Sequence, residues 1–325
     1  MSTQYPLPQT VEVGKIQRTK PKIKWLEPFL LLVPAGVWLI LLLVLPTLII
    51  FELSLVPGIR PGDIVNPGGI TNYNQFLDFQ NWRPPNGFIW KALVTNYTRI
   101  LDPIYLQVIR RSFSFALGTT AICLILAFPV AYWIAQLVPQ RWRNLFLIGF
   151  VLPLWTSSLL RSYAWITILR PTGLLNTILN SFGLPTLNIL NQNTAVYIGM
   201  TYSALPYMVL ILYASLEKLD KRQLEAAADL GANPVQVFYK ATLPQVITGV
   251  AASSFLVFIT TLGDFVNPEL LGGASSMTGA RLIYNQFLGA TQNWGFGSAL
   301  SMALIMIVSI AIALLIKFGE AAPKR

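Results

Sequence analysis

Apolar runs of about twenty residues or more alternate with short polar connections along most of this chain. Each run is long enough, at 1.5 Å per residue, to cross a hydrocarbon core of about 30 Å. The pattern predicts six membrane helices, over residues 29–51, 112–137, 144–169, 194–216, 246–270 and 296–316. Pro34 and Pro46 are expected to kink the first. Between the first two runs, residues 52–111 are rich in Pro, Gly, Asn and aromatic residues, with PGIRPGD, NPGG and RPPNG as turn punctuation, and predict a small ordered cap outside the membrane. Only Val138 to Arg143 join the second and third runs, so those two must form an antiparallel hairpin. Residues 170–193 and 271–295 read as further connections.

The segment 217–245 is different, a polar stretch set between two long apolar runs. Gly231 can close a helix ending at Leu230 because it adopts positive φ without steric cost. Asn233-Pro234 then reads as a cap and first position of a second short helix. Leu243-Pro244 marks its end and the start of the next membrane run.

With 54% hydrophobic and 11% charged residues among 325 positions, and a mean hydropathy of +0.58, the chain is too apolar for a soluble globular protein. Its net charge of +10 does not point to nucleic acid, because the basic residues sit beside apolar runs in several separate loops. There is no histidine, so the commonest general base is missing, and the single Cys123 lies inside an apolar run with no partner for a disulfide or a CxxC site. No metal site, cofactor or catalytic residue is expected. No G-x-x-x-x-G-K-[ST] loop occurs, so any ATPase must be another polypeptide. A secondary transporter and an integral-membrane enzyme are the rival classes; the first would carry its coupling residues inside the spans, and the second lacks clustered acid–base groups.

Glu225-Ala226-Ala227, Gly231 and Leu243-Pro244 stand at the spacing of the EAA signature, and here the chain resembles the membrane subunits of bacterial ABC importers. One position departs, Ala241 standing where that family usually has Ile or Val. The likeness extends over nearly the whole chain from about residue 29 and is greatest to spermidine/putrescine-type permeases, the first permease of the pair. It is carried further by LPLWTSSLLRSYAW at Leu152 to Trp165 and TLGDFVNPELLGG at Thr261 to Gly273. The lead-in Thr95-Asn96-Tyr97-Thr98 and Asp102-Pro103-Ile104-Tyr105 resembles the same branch.

The resemblance implies an all-α membrane protein with six transmembrane helices of the type I ABC importer permease kind. It also implies a role for Glu225, Ala226, Ala227, Gly231, Leu243 and Pro244 in coupling to an ATP-binding subunit. The partners it implies are two ATP-binding subunits, a second homologous permease and an external solute-binding protein in a bacterial plasma membrane. The expected solute is a small organic cation, a polyamine first, with an inorganic anion, a phosphonate or iron as the alternative.

Asp264 and Glu269, in the outer part of the fifth run, are the candidate solute carboxylates, because a carboxylate beside a membrane span is costly unless paired or hydrated. On an intact helix they would point about 140° apart, but Asn267-Pro268 can end or kink it. Trp155, Tyr163 and Trp165 could offer ring faces to a cation, or simply pack, and Arg161 could pair with Asp264 and neutralise it without any ligand.

Orientation follows from Lys and Arg. Five lie in the 1–28 tail, two in residues 138–143, four in residues 217–245 and three in or beside the 318–325 tail, fourteen in all against eight on the other face. The heavier face should be cytoplasmic, with both termini. With Cys123 replaced, single cysteines at Asn66, Asn191 and Ser275 should react with an impermeant thiol reagent from outside, and those at Gln140 and Gln236 should not. External labelling at Gln236 would sink this topology.

Overall fold

The computed structural model describes residues 33–34, 36–55, 88–290 and 292–320. The expected 1–28 tail, the start of the first run, most of the 52–111 cap and the end of the C-terminal tail lie outside these residues. Everything regular among the described residues is helical. One apolar helix, α1, runs Gly36–Ser54. The remaining unit, from Ile50 onward, is built from α2 (Phe88–Ile100), α3 (Pro103–Leu137), α4 (Gln140–Val151), α5 (Ser158–Leu169), α6 (Leu174–Ser181) and α7 (Asn193–Leu216). It continues with α8 (Lys221–Asp229), α9 (Pro234–Leu262), α10 (Val266–Leu271), α11 (Gly279–Leu288) and α12 (Trp294–Glu320).

Four helices, α1, α3, α7 and α9, are long and apolar enough to cross a membrane, and the α4–α5 region adds a fifth if read as one bent span. Helix α12 is apolar over Trp294–Ile310. Several boundaries differ from those expected. The expected third span is broken: Gln140–Trp155 and Ser158–Ser181 meet at 94°. Pro153 opens a tight turn at Leu152–Trp155, and Thr156 and Ser157 are extended, so no helix can pass through them. The second span begins nine residues early, at Pro103, because proline suits a helix start and the polar Gln107, Arg110 and Arg111 extend the helix past its apolar part. Helix α2 likewise occupies part of the expected cap, and Val138-Pro139 alone separate α3 from α4.

The fifth span stops at Leu262, short of residue 270, and the break falls at Gly263–Phe265 rather than at Asn267-Pro268, which sit inside α10. Nor does Leu243-Pro244 end a short helix; α9 runs on through it. The reason recurs. Wide turns of π type at Ile40–Val44, Trp133–Leu137 and Phe238–Thr242 each close with an N–H five residues on, at Leu45, Val138 and Leu243, immediately before Pro46, Pro139 and Pro244. A proline ring crowds the carbonyl four residues back and restricts the residue before it, and a widened turn relieves both without leaving the helix.

Helices α3, α7 and α9 pack on one another around Cys123, Ala127, Ala131, Ala204, Met208 and Leu212, all buried. Small residues let the backbones approach closely, as membrane helices need where lipid supplies no hydrophobic drive between them. Cys123 is therefore packing. At one end of the bundle, Gln136 Nε2 donates to the Leu216 carbonyl at 2.6 Å and the Asp220 amide to Gln245 Oε1 at 3.2 Å, tying α3, α7 and α9 beside α8. At the other end, the Asn191 N–H donates to the Leu271 carbonyl at 3.0 Å and Ser276 Oγ to Asn193 Oδ1 at 2.7 Å.

Among the described glycines, Gly249 has the least room, since an added Cβ would run into the Ser215 side chain. Gly249→Ala should cost about 1–3 kcal/mol by overpacking. Ser215→Gly should relieve it, so a double-mutant cycle on thermal unfolding in detergent should give a coupling energy well above additivity. Strict additivity would place the strain elsewhere.

Candidate functional site

Two places carry polar chemistry that packing does not explain. The first is a cavity of about 240 Å³ walled by the start of α5, the middle of α7 and the break between α9 and α10. Ser158 and Arg161 stand three apart on α5, and Met200, Ser203 and Tyr207 share one face of α7, so each helix turns a single polar-bearing side inward. The break supplies the third wall. With Gly263, Asp264 and Phe265 out of the helical ladder, α10 starts afresh and its first N–H groups need acceptors. Asp264 Oδ1 accepts from the amides of Val266 at 2.9 Å and Asn267 at 3.2 Å.

Asn267 is the hub of this wall and only 2% exposed. Its Nδ2 donates to Asp264 Oδ2 at 2.6 Å and more weakly to Ser203 Oγ at 3.4 Å, while its Oδ1 accepts from Ser162 Oγ at 3.0 Å. One amide thus joins α5, α7 and α10. Gly199 makes room for it, since a Cβ there would come within 2.6 Å of Asn267 Oδ1.

The residues expected along a solute pathway divide. Arg161 and Asp264 face the same cavity, but they form no ion pair; the one ion pair among the described residues is Arg281 to Glu269, at 2.5 Å. Arg161 Nε and Nη1 are buried with no hydrogen-bond partner. Glu269 points instead to α11, where Arg281 also donates to the Gly273 carbonyl at 3.0 Å. Trp165 packs edge-on against Tyr202, with ring centroids 5.6 Å apart, and joins the buried cluster of Leu169, Ala195 and Leu271. Trp155 is 80% exposed at the α4–α5 bend and Tyr163 is 55% exposed on α5; neither lines the cavity. Sequence reading missed Asn267 as a hub, and Ser158, Ser162, Ser203 and Tyr207. Their signal was present as hydroxyls three to four residues apart on otherwise apolar helices.

The second place is the segment from α8 into α9. Asp220 caps α8, accepting from the Arg222 amide at 3.0 Å. Helix α8 closes as expected: Gly231 has φ +83°, its N–H reaches the Ala228 carbonyl at 2.9 Å, and the Ala232 N–H reaches Ala227 at 3.1 Å. Asn233 and Gln236 form a reciprocal capping box over Pro234. Glu225 and Ala226 are exposed on α8, Ala227 is half-buried, and Leu230, Val235 and Tyr239 are apolar yet exposed. Leu243 is half-buried and Pro244 exposed further along α9.

The two places are thus a cavity at a helix break inside an apolar bundle and a capped helical hairpin exposed at one end. The family model described as binding-protein-dependent transport system inner membrane component matches residues 127–318. The chain belongs to that family. The match takes in the last eleven residues of α3, the cavity and the helical hairpin. Among relatives of this permease, the spermidine/putrescine transport system permease protein PotB of Haemophilus influenzae is 40% identical over 229 residues, 70% of this chain and 79% of that one. PotB of Escherichia coli is 39% identical over 219 residues, 67% and 79% of the two chains. The inner membrane ABC transporter permease protein YdcU of Escherichia coli is 32% identical over 239 residues, 70% and 76%. In fold, a chain of a bacterial alginate ABC transporter, solved in complex with an alginate pentasaccharide-bound periplasmic protein, superposes with a TM-score of 0.64 at 15% identity, covering 89% of this chain and 92% of that one. The permease is therefore a multi-pass, all-α inner-membrane transport component.

Asn267→Ala should lower the unfolding free energy by about 2–3 kcal/mol, because it orphans Ser162 on α5, Ser203 on α7 and Asp264 at the break at once. Ser162→Ala should cost about 1 kcal/mol or less, removing one donor that can turn to its own helix. Equal costs, read by thermal unfolding of the purified protein, would remove Asn267 from the centre of the wall.

Proposed function

We propose that the chain is one permease of an ATP-driven importer that carries a polyamine, spermidine or putrescine, into the cell. The observation that carries this reading is the 40% identity to a spermidine/putrescine permease over 70% of the chain. In this reading the chain has six spans with both termini cytoplasmic and works with a homologous second permease, two ATP-binding subunits and an external solute-binding protein. The fourteen-to-eight excess of Lys and Arg on the face bearing residues 217–245 supports that orientation.

Helix α8 with the start of α9 is the coupling element. Glu225 offers a charge to a basic group of the ATP-binding subunit, Ala226 and Ala227 permit close approach, and Gly231 sets the angle between the two helices. Leu243 and Pro244 carry the movement into α9. Exposed Leu230, Val235 and Tyr239 supply apolar contact area for the same docking. In the cavity, Asp264 receives a solute ammonium, and Tyr207 offers a ring face worth about 0.5–2 kcal/mol to it. Glu269 acts through Arg281, holding α11 against α10 at the outer rim. Trp155 and Tyr163, exposed beside the bend, stand where the second permease completes the pathway.

The complex reconstituted in vesicles should take up labelled spermidine or putrescine on ATP addition and should ignore thiosulfate and a sugar. Asp264→Asn should raise the half-saturating polyamine concentration about tenfold or more, the loss of one charge-assisted contact. Glu225→Lys and Gly231→Trp should leave the chain in the membrane and abolish solute-stimulated ATP hydrolysis. Absence of polyamine uptake by the unaltered complex would refute the substrate; unchanged ATPase stimulation in both coupling variants would refute the docking role.

A further inference from the structure

Helix α3 bears a second feature that transport does not use. Gln107, Arg110, Arg111 and Ser114, spaced at three and four residues on one face, line an open recess of about 310 Å³. Neither arginine makes an ion pair or hydrogen bond within the described chain. Immediately beside the recess stands Tyr197 of α7, whose hydroxyl donates to the Ser114 carbonyl at 3.2 Å and whose ring lies over Gly118, where a Cβ would approach to 2.7 Å. The other side of Tyr197 opens on a groove of about 530 Å³ walled by Ile122, Leu126, Trp165 and Ile198. The exposed stripe of α3 below the recess, Leu117 and Ile125, is apolar. A basic head and an apolar trough are thus joined at one tyrosine.

The length of α3 sets the depth of this feature. Thirty-five residues at 1.5 Å make about 52 Å, against a hydrocarbon core of about 30 Å. Counting about twenty residues back from Leu137 places the edge of that core near Leu117, where the stripe turns apolar. Arg110 and Arg111 then stand about 10 Å further out, at the level of the lipid headgroups. A guanidinium pair flanked by an amide and a hydroxyl matches a phosphate in charge and in donors.

We propose that this face of α3 and α7 is a binding site for an anionic phospholipid, with the phosphate held by Arg110 and Arg111 and an acyl chain lying along the groove beneath Tyr197. The site is remote in function from the cavity at Asp264 and does not depend on which solute the permease carries.

The test uses the complete importer complex in nanodiscs of phosphatidylcholine with or without a minority of phosphatidylglycerol, with Ile122 replaced by a photoreactive amino acid. Illumination should yield a phosphatidylglycerol adduct, identified by mass spectrometry, in excess of that lipid's share of the bilayer. In Arg110→Gln/Arg111→Gln the adduct should fall about twenty-five-fold, each arginine near anionic lipid contributing about fivefold. Arg110→Lys/Arg111→Lys should retain most of it, and added inorganic phosphate should not displace it. Crosslinking to a partner polypeptide would overturn the proposal by making the groove a protein interface. So would adducts that follow bulk lipid composition, or displacement by free phosphate. The lipid comparison in the unaltered arginine background decides the matter even if the double glutamine variant fails to assemble.

Discussion

A helix that breaks inside an apolar bundle exposes backbone N–H and C=O groups, and each one buried without a partner costs several kcal/mol. The break at Gly263–Phe265 meets that constraint with side chains. Asp264 accepts the first two N–H groups of α10, Asn267 closes the ring by donating back to Asp264, and Ser162 on α5 satisfies the remaining amide oxygen. The same requirement explains Gly199, the only residue type that leaves space for the Asn267 amide at that point of α7. The cavity is a consequence: a polar wall that must exist to pay for the break cannot also be filled with apolar side chains.

The long α9 connects this wall to the opposite end of the bundle. From the Asn233 cap to Leu262 it is one helix of twenty-nine residues, about 43 Å of continuous rod. Pro244 would ordinarily interrupt it, but the wide turn at Phe238–Thr242 absorbs the ring and keeps the ladder intact. In the proposed coupling, a displacement of the α8–α9 corner would reach Thr260, Thr261 and the break, all on the cavity wall, along an unbroken helix. The helix breaks only at its far end, at Gly263, beside Asp264.

How far this was legible in the sequence depends on the range of the interaction. Local chemistry was readable: the left-handed Gly231, the Asn233-Pro234 start and the span at Asn193–Leu216 all follow from neighbours within a few residues. Hydropathy alone could not show that the run from residue 144 to 169 turns through 94°, because Thr156 and Ser157 lower its average only slightly while removing the helix altogether. It also hid the start of α3 at Pro103, since polar residues that leave the bilayer remain helical. Partner choice was the least accessible. Glu269 finds Arg281 twelve residues on because α10 and α11 fold back on each other, and nothing in the spacing distinguishes that outcome from a shared vestibule with Asp264.

Arg161 is the cavity residue that the packing leaves unfinished. A guanidinium with Nε and Nη1 buried and unbonded is expensive in any surroundings of low dielectric, and it shares its cavity with a carboxylate already engaged by three N–H groups. The arrangement gives the cavity opposed walls, cationic on α5 and anionic at the break. In the proposed role, an amine in this cavity would be drawn to the break and repelled from α5, which would orient it. In the same proposed role Arg161, on the facing wall, is a competitor for that carboxylate and so a means of release.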